Sequence, residues 1–228
     1  MSKLFALSQL DIRNIFRDQM LIFMFIGAPV LQFLLARFAL PLFGQYFPVI
    51  QPYYPLILLA IVLQITAGIG FVVASIVLDE KDEEVLTAIR VLPISSHLFL
   101  AYRLLFAVGV SFCFGLVMFC FSGLASFNWQ AALGMSGLFA LIAPLILLSL
   151  SVFSANKVEG LAVFKGLNFI LFLPIIALFV PTLKWLFVWI PTHWTFQYLE
   201  ALNQGQSTGI IFLMGIIVHL GFLLLLLR

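Results

Sequence analysis

The sequence predicts an all-α polytopic membrane protein with six transmembrane helices, and three observations carry that reading. Hydrophobic residues make up 64% of the 228-residue chain and charged residues only 9%, whereas a soluble domain is about one quarter charged. Two long runs, Phe38 to Leu78 and Leu104 to Asn156, contain no Asp, Glu, Lys or Arg. The remaining apolar stretches approach the about 20 residues that a helix needs to cross the hydrocarbon core. No packing in water hides that much apolar surface, so lipid is the solvent. Met1 to Gln19 is polar and charged without a cleavable apolar core, so no signal-peptide pattern opens the chain.

Taken in order, residues 1–19 form an amphipathic helix expected to lie flat in the membrane interface. Leu4, Phe5, Ile12, Ile15 and Phe16 share one arc, while Lys3, Gln9, Asp11, Arg13, Asn14, Arg17 and Asp18 occupy most of the rest. The spans are expected at residues 20–41, 56–78, 98–125, 131–153, 166–181 and 208–227. Gly44, Pro48, Pro52 and Pro55 mark a short turn between the first two, and Pro29, Pro144 and Pro174 are expected to kink their helices. Lys184 and Glu200 bracket only 15 uncharged residues, interrupted at Ile190-Pro191. That stretch is too short to span and reads as a re-entrant or interfacial helical pair on the outer face.

Orientation follows from the 11 Lys and Arg residues. With the N-terminus in the cytoplasm, Lys3, Arg13, Arg17, Lys81, Arg90, Arg103, Lys157, Lys165 and Arg228 lie inside, and only Arg37 and Lys184 lie outside. Trp129, Trp185, Trp189 and Trp194 all fall in outer segments, where amphipathic rings favour the interface. Both termini are therefore expected in the cytoplasm.

Chemistry-bearing motifs are few. The sequence has no G-x-x-x-x-G-K-[ST] phosphate-binding loop, and G-x-S-x-G, H-E-x-x-H and C-x-x-C are absent too. No catalytic or metal-ligating set is predicted, and a net charge of +2 gives no reason to expect nucleic acid. Cys113 and Cys120 would stand roughly 10 Å apart along a helix, too far to bridge, and read as packing residues. His219 lies within the last span and Arg37 near the outer end of the first. Both are candidate substrate or gate contacts; the alternatives are a neutral His bonded to a neighbouring helix and a snorkelling Arg. Thr66, Gly70 and Ala74, and likewise Ser111 and Gly115, recur every four residues. Such stripes predict close packing within the chain ahead of a dimer seam.

Five of the nine carboxylates crowd into Asp79-Glu80-Lys81-Asp82-Glu83-Glu84. If residues 82–92 are helical, Val85, Ile89 and Leu92 share a face, Glu83, Glu84 and Arg90 turn to solvent, and Pro93 ends the helix. The block is either a docking helix or a solvated loop whose acids keep it soluble.

Asp79 to Ser95, ending Pro93-Ile94-Ser95, resembles the segment after span two in the membrane subunits of type-2 ABC exporters, above all the short six-span bacterial drug-export permeases. Asp11 to Asp18, Asn156 to Gly160 with Lys165, and Ile190-Pro191-Thr192-His193-Trp194 are similar to that family as well, so the resemblance covers nearly the whole chain. It implies a single transmembrane domain over residues 1–228, with an interfacial N-terminal helix, a coupling helix between spans two and three, and short outer helices before span six. Glu80, Glu83, Glu84, Leu86, Ile89, Arg90 and Pro93 would form the coupling helix. The partners implied are a cytoplasmic ABC ATPase subunit, a second permease in a homo- or heterodimer, and the bilayer of a bacterial or archaeal plasma membrane. No cofactor is implied in this chain; ATP and Mg would sit on the ATPase.

The expected cargo is a hydrophobic or amphipathic small molecule, drug-like or lipid-like, a class to which the Phe-rich composition also points. Haem, lipid or polysaccharide export by the same architecture is the alternative. An integral-membrane enzyme would need convergent polar groups inside the bundle. The spans offer only scattered Ser, Thr, Gln64, Asn168 and His219. An assembly or sensor subunit is the remaining class, and co-purification with an ATPase separates it from an exporter.

Overall fold

The computed structural model describes residues 11–82 and 96–227, which hold helices and short connections with no strand among them. Six helices are long and apolar enough to cross a membrane: Gln19–Tyr46, Pro48–Asp82, Phe99–Phe121, Trp129–Phe153, Lys157–Phe179 and Gly209–Leu226. They are spans one to six of a multi-pass membrane protein. Their alternation gathers Asp18, Asp79, Glu80, Arg103 and Lys157 at one end of the bundle, the charged end, and leaves Trp129 and Trp185 at the far end.

Proline and capping chemistry set the shapes of these helices. Asp18 starts span one by accepting from the backbone N–H groups of Met20 and Leu21 at 2.8 and 3.3 Å. Pro29 and Pro41 each lack an N–H for the carbonyl four residues back, and a wide π turn precedes each of them, Phe23–Gly27 and Leu35–Ala39. In span four Leu141 separates Trp129–Ala140 from Ile142–Phe153, three residues before Pro144. In span five Leu173–Ile175 tightens to a 3-10 turn around Pro174.

Several bounds differ from the sequence expectation: span one runs on to Tyr46, span three ends at Phe121, and two further differences lie at the charged end. Span two is continuous α-helix from Tyr54 to Asp82, 29 residues, or about 43 Å, against a core of about 30 Å. Asp79 to Asp82, which open the acidic block, are thus its last turn. Span five starts at Lys157, because Asn156 caps the N–H of Glu159 at 2.9 Å and Glu159 accepts from Ala155 N–H at 2.8 Å. Lys157 and Lys165 ride on helical turns there and do not lie in a loop.

Spans two and four are the core pair. In each, 72% of the most apolar window is buried, against 17% in span one and 11% in span six. Lipid chains are as apolar as leucine, so association in a bilayer rests on close packing. Gly70 supplies it: a Cβ there would stand 2.5 Å from the Ala143 carbonyl oxygen and 2.8 Å from Ile146 Cβ. Gly115 of span three likewise faces Ser136 of span four. The small-residue stripes serve packing within the chain. Phe71 packs at a tilt against Phe164, centroids 4.8 Å apart, and Phe119 stacks at 6.1 Å from Phe139, tying spans five and three to this pair. Many other phenylalanines, including Phe23, Phe38, Phe43, Phe121, Phe169 and Phe179, face outward. Phe content therefore says nothing about a cargo.

Between spans five and six the chain forms a 3-10 turn, Pro181–Leu186, and a helix, Pro191–Asn203. Thr192 Oγ1 donates to the Leu171 carbonyl at 2.6 Å, and Leu171 lies about 21 Å along span five from Lys157. Trp189, Ile190 and Pro191 share an apolar cavity of about 220 Å³ with Ser149 and Leu226, both near the charged end of their spans. The tip therefore dips well into the bundle and the helix climbs back to the far end. Of the re-entrant and interfacial arrangements, these contacts fit the re-entrant one.

Candidate functional site: a double charge joint at the base of the acidic block

Span two leaves the bundle carrying two neighbouring carboxylates, and each meets a different cation. Arg103 of span three is fully buried, at 1% exposure. Its guanidinium forks onto Glu80, Nη1 to Oε2 at 2.7 Å and Nη2 to Oε1 at 2.6 Å. The same Nη2 donates to Asp11 Oδ1 at 2.9 Å, and the guanidinium carbon lies 4.2 Å over the Phe99 ring. Asp11 belongs to the short helical segment 11–15 that precedes span one.

Lys157, the first residue of span five, repeats the arrangement. Its Nζ donates to Asp18 Oδ2 at 2.6 Å and to Asp79 Oδ2 at 3.2 Å. Each cation thus binds one acid from the N-terminal segment and one from the end of span two. Two three-way joints result, each with two carboxylates to one base. The Lys157 joint is partly exposed; its hydrogen bond, assisted by the N–H groups of Leu21 and Met20, holds the Asp18 carboxyl below its ordinary value against a modest desolvation cost. Lys81, one residue beyond Glu80, donates to the Ser154 carbonyl at the end of span four at 3.1 Å.

The apolar side of this joint is small. Ile15 and Leu21 bury against Val72 and Ile76 of span two. Next to that contact a cleft of about 380 Å³, lined by Asn14, Arg17, Asp18, Asp79 and Glu80 among others, keeps the segment from sealing onto span two. Among the described residues, the segment before span one is held by this contact and by the ion pairs of Asp11 and Asp18. An uncompensated buried guanidinium is costly, so Arg103 fixes the positions of both its acids.

Of the sequence-predicted coupling residues, Glu80 is the one described, and it is engaged by Arg103. Glu83, Glu84, Leu86, Ile89, Arg90 and Pro93 lie outside the described residues. Arg37 is exposed near the far end of span one, its guanidinium alongside Gly123 in the turn after span three. His219 is buried in span six with Nδ1 2.7 Å from the Gly215 carbonyl of its own preceding turn. The fold brings neither of them to the joint. Gln64 and Asn168, scattered in sequence, bond at 3.0 Å between spans two and five. Among the described residues no group of three His, Cys, Asp or Glu could hold a metal ion.

In the sequence Arg103 stood out only as an orientation marker, and Lys157 as one too and as part of the family-like stretch Asn156 to Gly160. Two signals pointed further. Asp11 and Asp18 are the two acids of the polar arc drawn for residues 1–19, although the structure ends that helix at residue 15 and leaves Asp18 extended, and Arg103 is an ionisable residue inside an apolar run.

Six spans with an ordered charge network at one end define a multi-pass membrane protein. The chain belongs to the family described as fluoroquinolones export permease protein Rv2686c-like, whose family model matches residues 11–227. It is similar to the fluoroquinolones export permease proteins MT2760 and Rv2686c of Mycobacterium tuberculosis, strains CDC 1551 / Oshkosh and ATCC 25618 / H37Rv. Each is 31% identical over 173 residues, which cover 73% of this chain and 68% of the relative. No solved structure matches the chain significantly. The expected kinship with short drug-export permeases is thereby confirmed, and the chain is a transport subunit rather than an enzyme.

Proposed function

We propose that this chain is the membrane subunit of an ATP-driven exporter of the ABC type, paired with a second permease and served by separate cytoplasmic ATPase subunits that carry ATP and Mg. The charged end faces the cytoplasm of a bacterial or archaeal cell, and the acidic block from Asp79 to Ser95 is the docking element. The double joint carries this reading. A push on residues 83–95 enters span two at Asp82, and Asp79 and Glu80 pass it at once to spans three and five and to the N-terminal segment. A solubilising loop would need no such anchorage. The relatives' names point to a fluoroquinolone-like cargo, aromatic and amphipathic.

Purification of the tagged chain in mild detergent tests the assembly. A nucleotide-binding subunit should accompany it, and cells expressing both should accumulate less fluoroquinolone than cells expressing neither. Recovery of the chain without any ATPase, together with unchanged accumulation, would overturn the reading.

A further inference from the structure

The segment before span one sorts its charges by sign. Asp11 and Asp18 turn to the bundle and are taken up by Arg103 and Lys157. Arg13 and Arg17, four residues apart, are both exposed, and among the described residues neither makes an ion pair. Arg17 stands at the rim of the cleft against span two, beside Asp18, Asp79 and Glu80, whereas Arg13 does not line it. The double joint therefore takes up the acids of this segment and leaves its bases to something outside the bundle.

The apolar residues beside the two arginines indicate what that is. Ile15 is buried against span two, but Ile12 and Phe16 are 42% and 55% exposed. The Phe16 N–H donates to the Ile12 carbonyl at 3.0 Å, a helical turn that keeps these two side chains on one side. Met20 and Phe23, at the start of span one, are exposed as well, so the outward apolar residues continue from the segment onto a membrane-spanning helix. A water-soluble partner could not follow them down span one, whereas the lipid at the charged end borders them all. Apolar side chains at the acyl boundary with arginines on the flank make an interfacial anchor, and the guanidinium fork matches phosphate oxygens.

We propose that Arg13 and Arg17 bind the phosphate of an anionic phospholipid in the leaflet at the charged end, with Ile12 and Phe16 set among its acyl chains. The segment then has two grips. Its acids hold spans three and five, and its bases hold the membrane surface. A lipid bound there ties the double joint to the bilayer, so the charge of the surrounding lipid bears on the joint. The inference goes beyond the export reading and needs neither an ATPase nor a cargo.

Titration of the detergent-solubilised full chain with dioctanoyl phosphatidylglycerol and, separately, with dioctanoyl phosphatidylcholine tests it, with bound lipid counted by native mass spectrometry. Each basic residue at an anionic lipid surface contributes about fivefold in affinity, so phosphatidylglycerol should bind about five- to thirtyfold more tightly than phosphatidylcholine. Arg13→Gln should cost more of that preference than Arg17→Gln, because Arg17 stands beside the acids of the cleft. The two together should abolish it, and Arg13→Lys with Arg17→Lys should keep most of it, since charge carries the contact. Both side chains are exposed and outside the ion pairs of the described residues, so these variants leave the joint intact. Equal affinity of the wild type for the two lipids, or a preference that survives Arg13→Gln with Arg17→Gln, would overturn the proposal. The second result would leave the arginines to an acidic partner protein. Loss of the preference on changing both to Lys would overturn it too, by showing that the arginines act on the fold rather than through charge. Lipid binding is read without ATPase or drug, so this proposal and the export reading fail separately.

Discussion

Arg103 and Glu80 face each other through two parallel hydrogen bonds of 2.6 and 2.7 Å, joining span three to the last turn of span two beneath the acidic block. The pair is buried, and the guanidinium also holds Asp11. Removing the cation leaves two carboxylates facing each other out of water. Arg103→Ala should therefore cost about 3–5 kcal/mol, and Arg103→Lys, which keeps the charge but loses the fork, about 1–3 kcal/mol. Thermal melting of the detergent-solubilised protein measures both, and equal melting of Arg103→Ala and wild type would show that the joint bears no load.

The Lys157 joint is more exposed, and its energetics should be modest. A double-mutant cycle on Lys157 and Asp18 is expected to give a coupling of about 1 kcal/mol or less that shrinks as salt is raised. A larger, salt-insensitive coupling would mean that the joint is drier than its geometry indicates.

Acid should loosen the charged end. Asp18, whose folded pKa lies below its ordinary 3.8, contributes stability that is full above that value and is lost as pH falls below it. Asp18→Asn should flatten the fall of melting temperature in that window, and an unaltered fall would assign it to another group.

Gly70 should be intolerant of any side chain. Gly70→Ala places a methyl against the Ala143 backbone and Ile146, which must separate spans two and four at about 1–3 kcal/mol. Gly137 of span four is the control, because a Cβ added there would meet nothing within 4 Å. Gly137→Ala should melt like wild type, and similar losses at both positions would point to a general effect of glycine replacement.

Coupling itself is tested at residues 83 and 84. Glu83→Lys with Glu84→Lys should abolish drug-stimulated ATP hydrolysis by the assembled complex while leaving membrane insertion intact. Full stimulation by the double variant would reduce these acids to solubilising groups.

Sequence alone determined the solvent and the number of spans, because 64% hydrophobic composition and long charge-free runs admit no other medium. It also marked the acidic block, since charge among apolar residues is conspicuous in one dimension. It did not determine that Asp79 to Asp82 continue the helix of span two or that span five begins at Lys157. Those bounds rest on caps and on helix length beyond the bilayer, which hydropathy does not register. The partnership of Arg103 with Asp11, 92 residues away, and of Lys157 with Asp18, 139 residues away, belonged wholly to the tertiary structure. A charge in a sequence carries a sign but no direction, and only the packing of spans two, three and five decides which acid each base can reach.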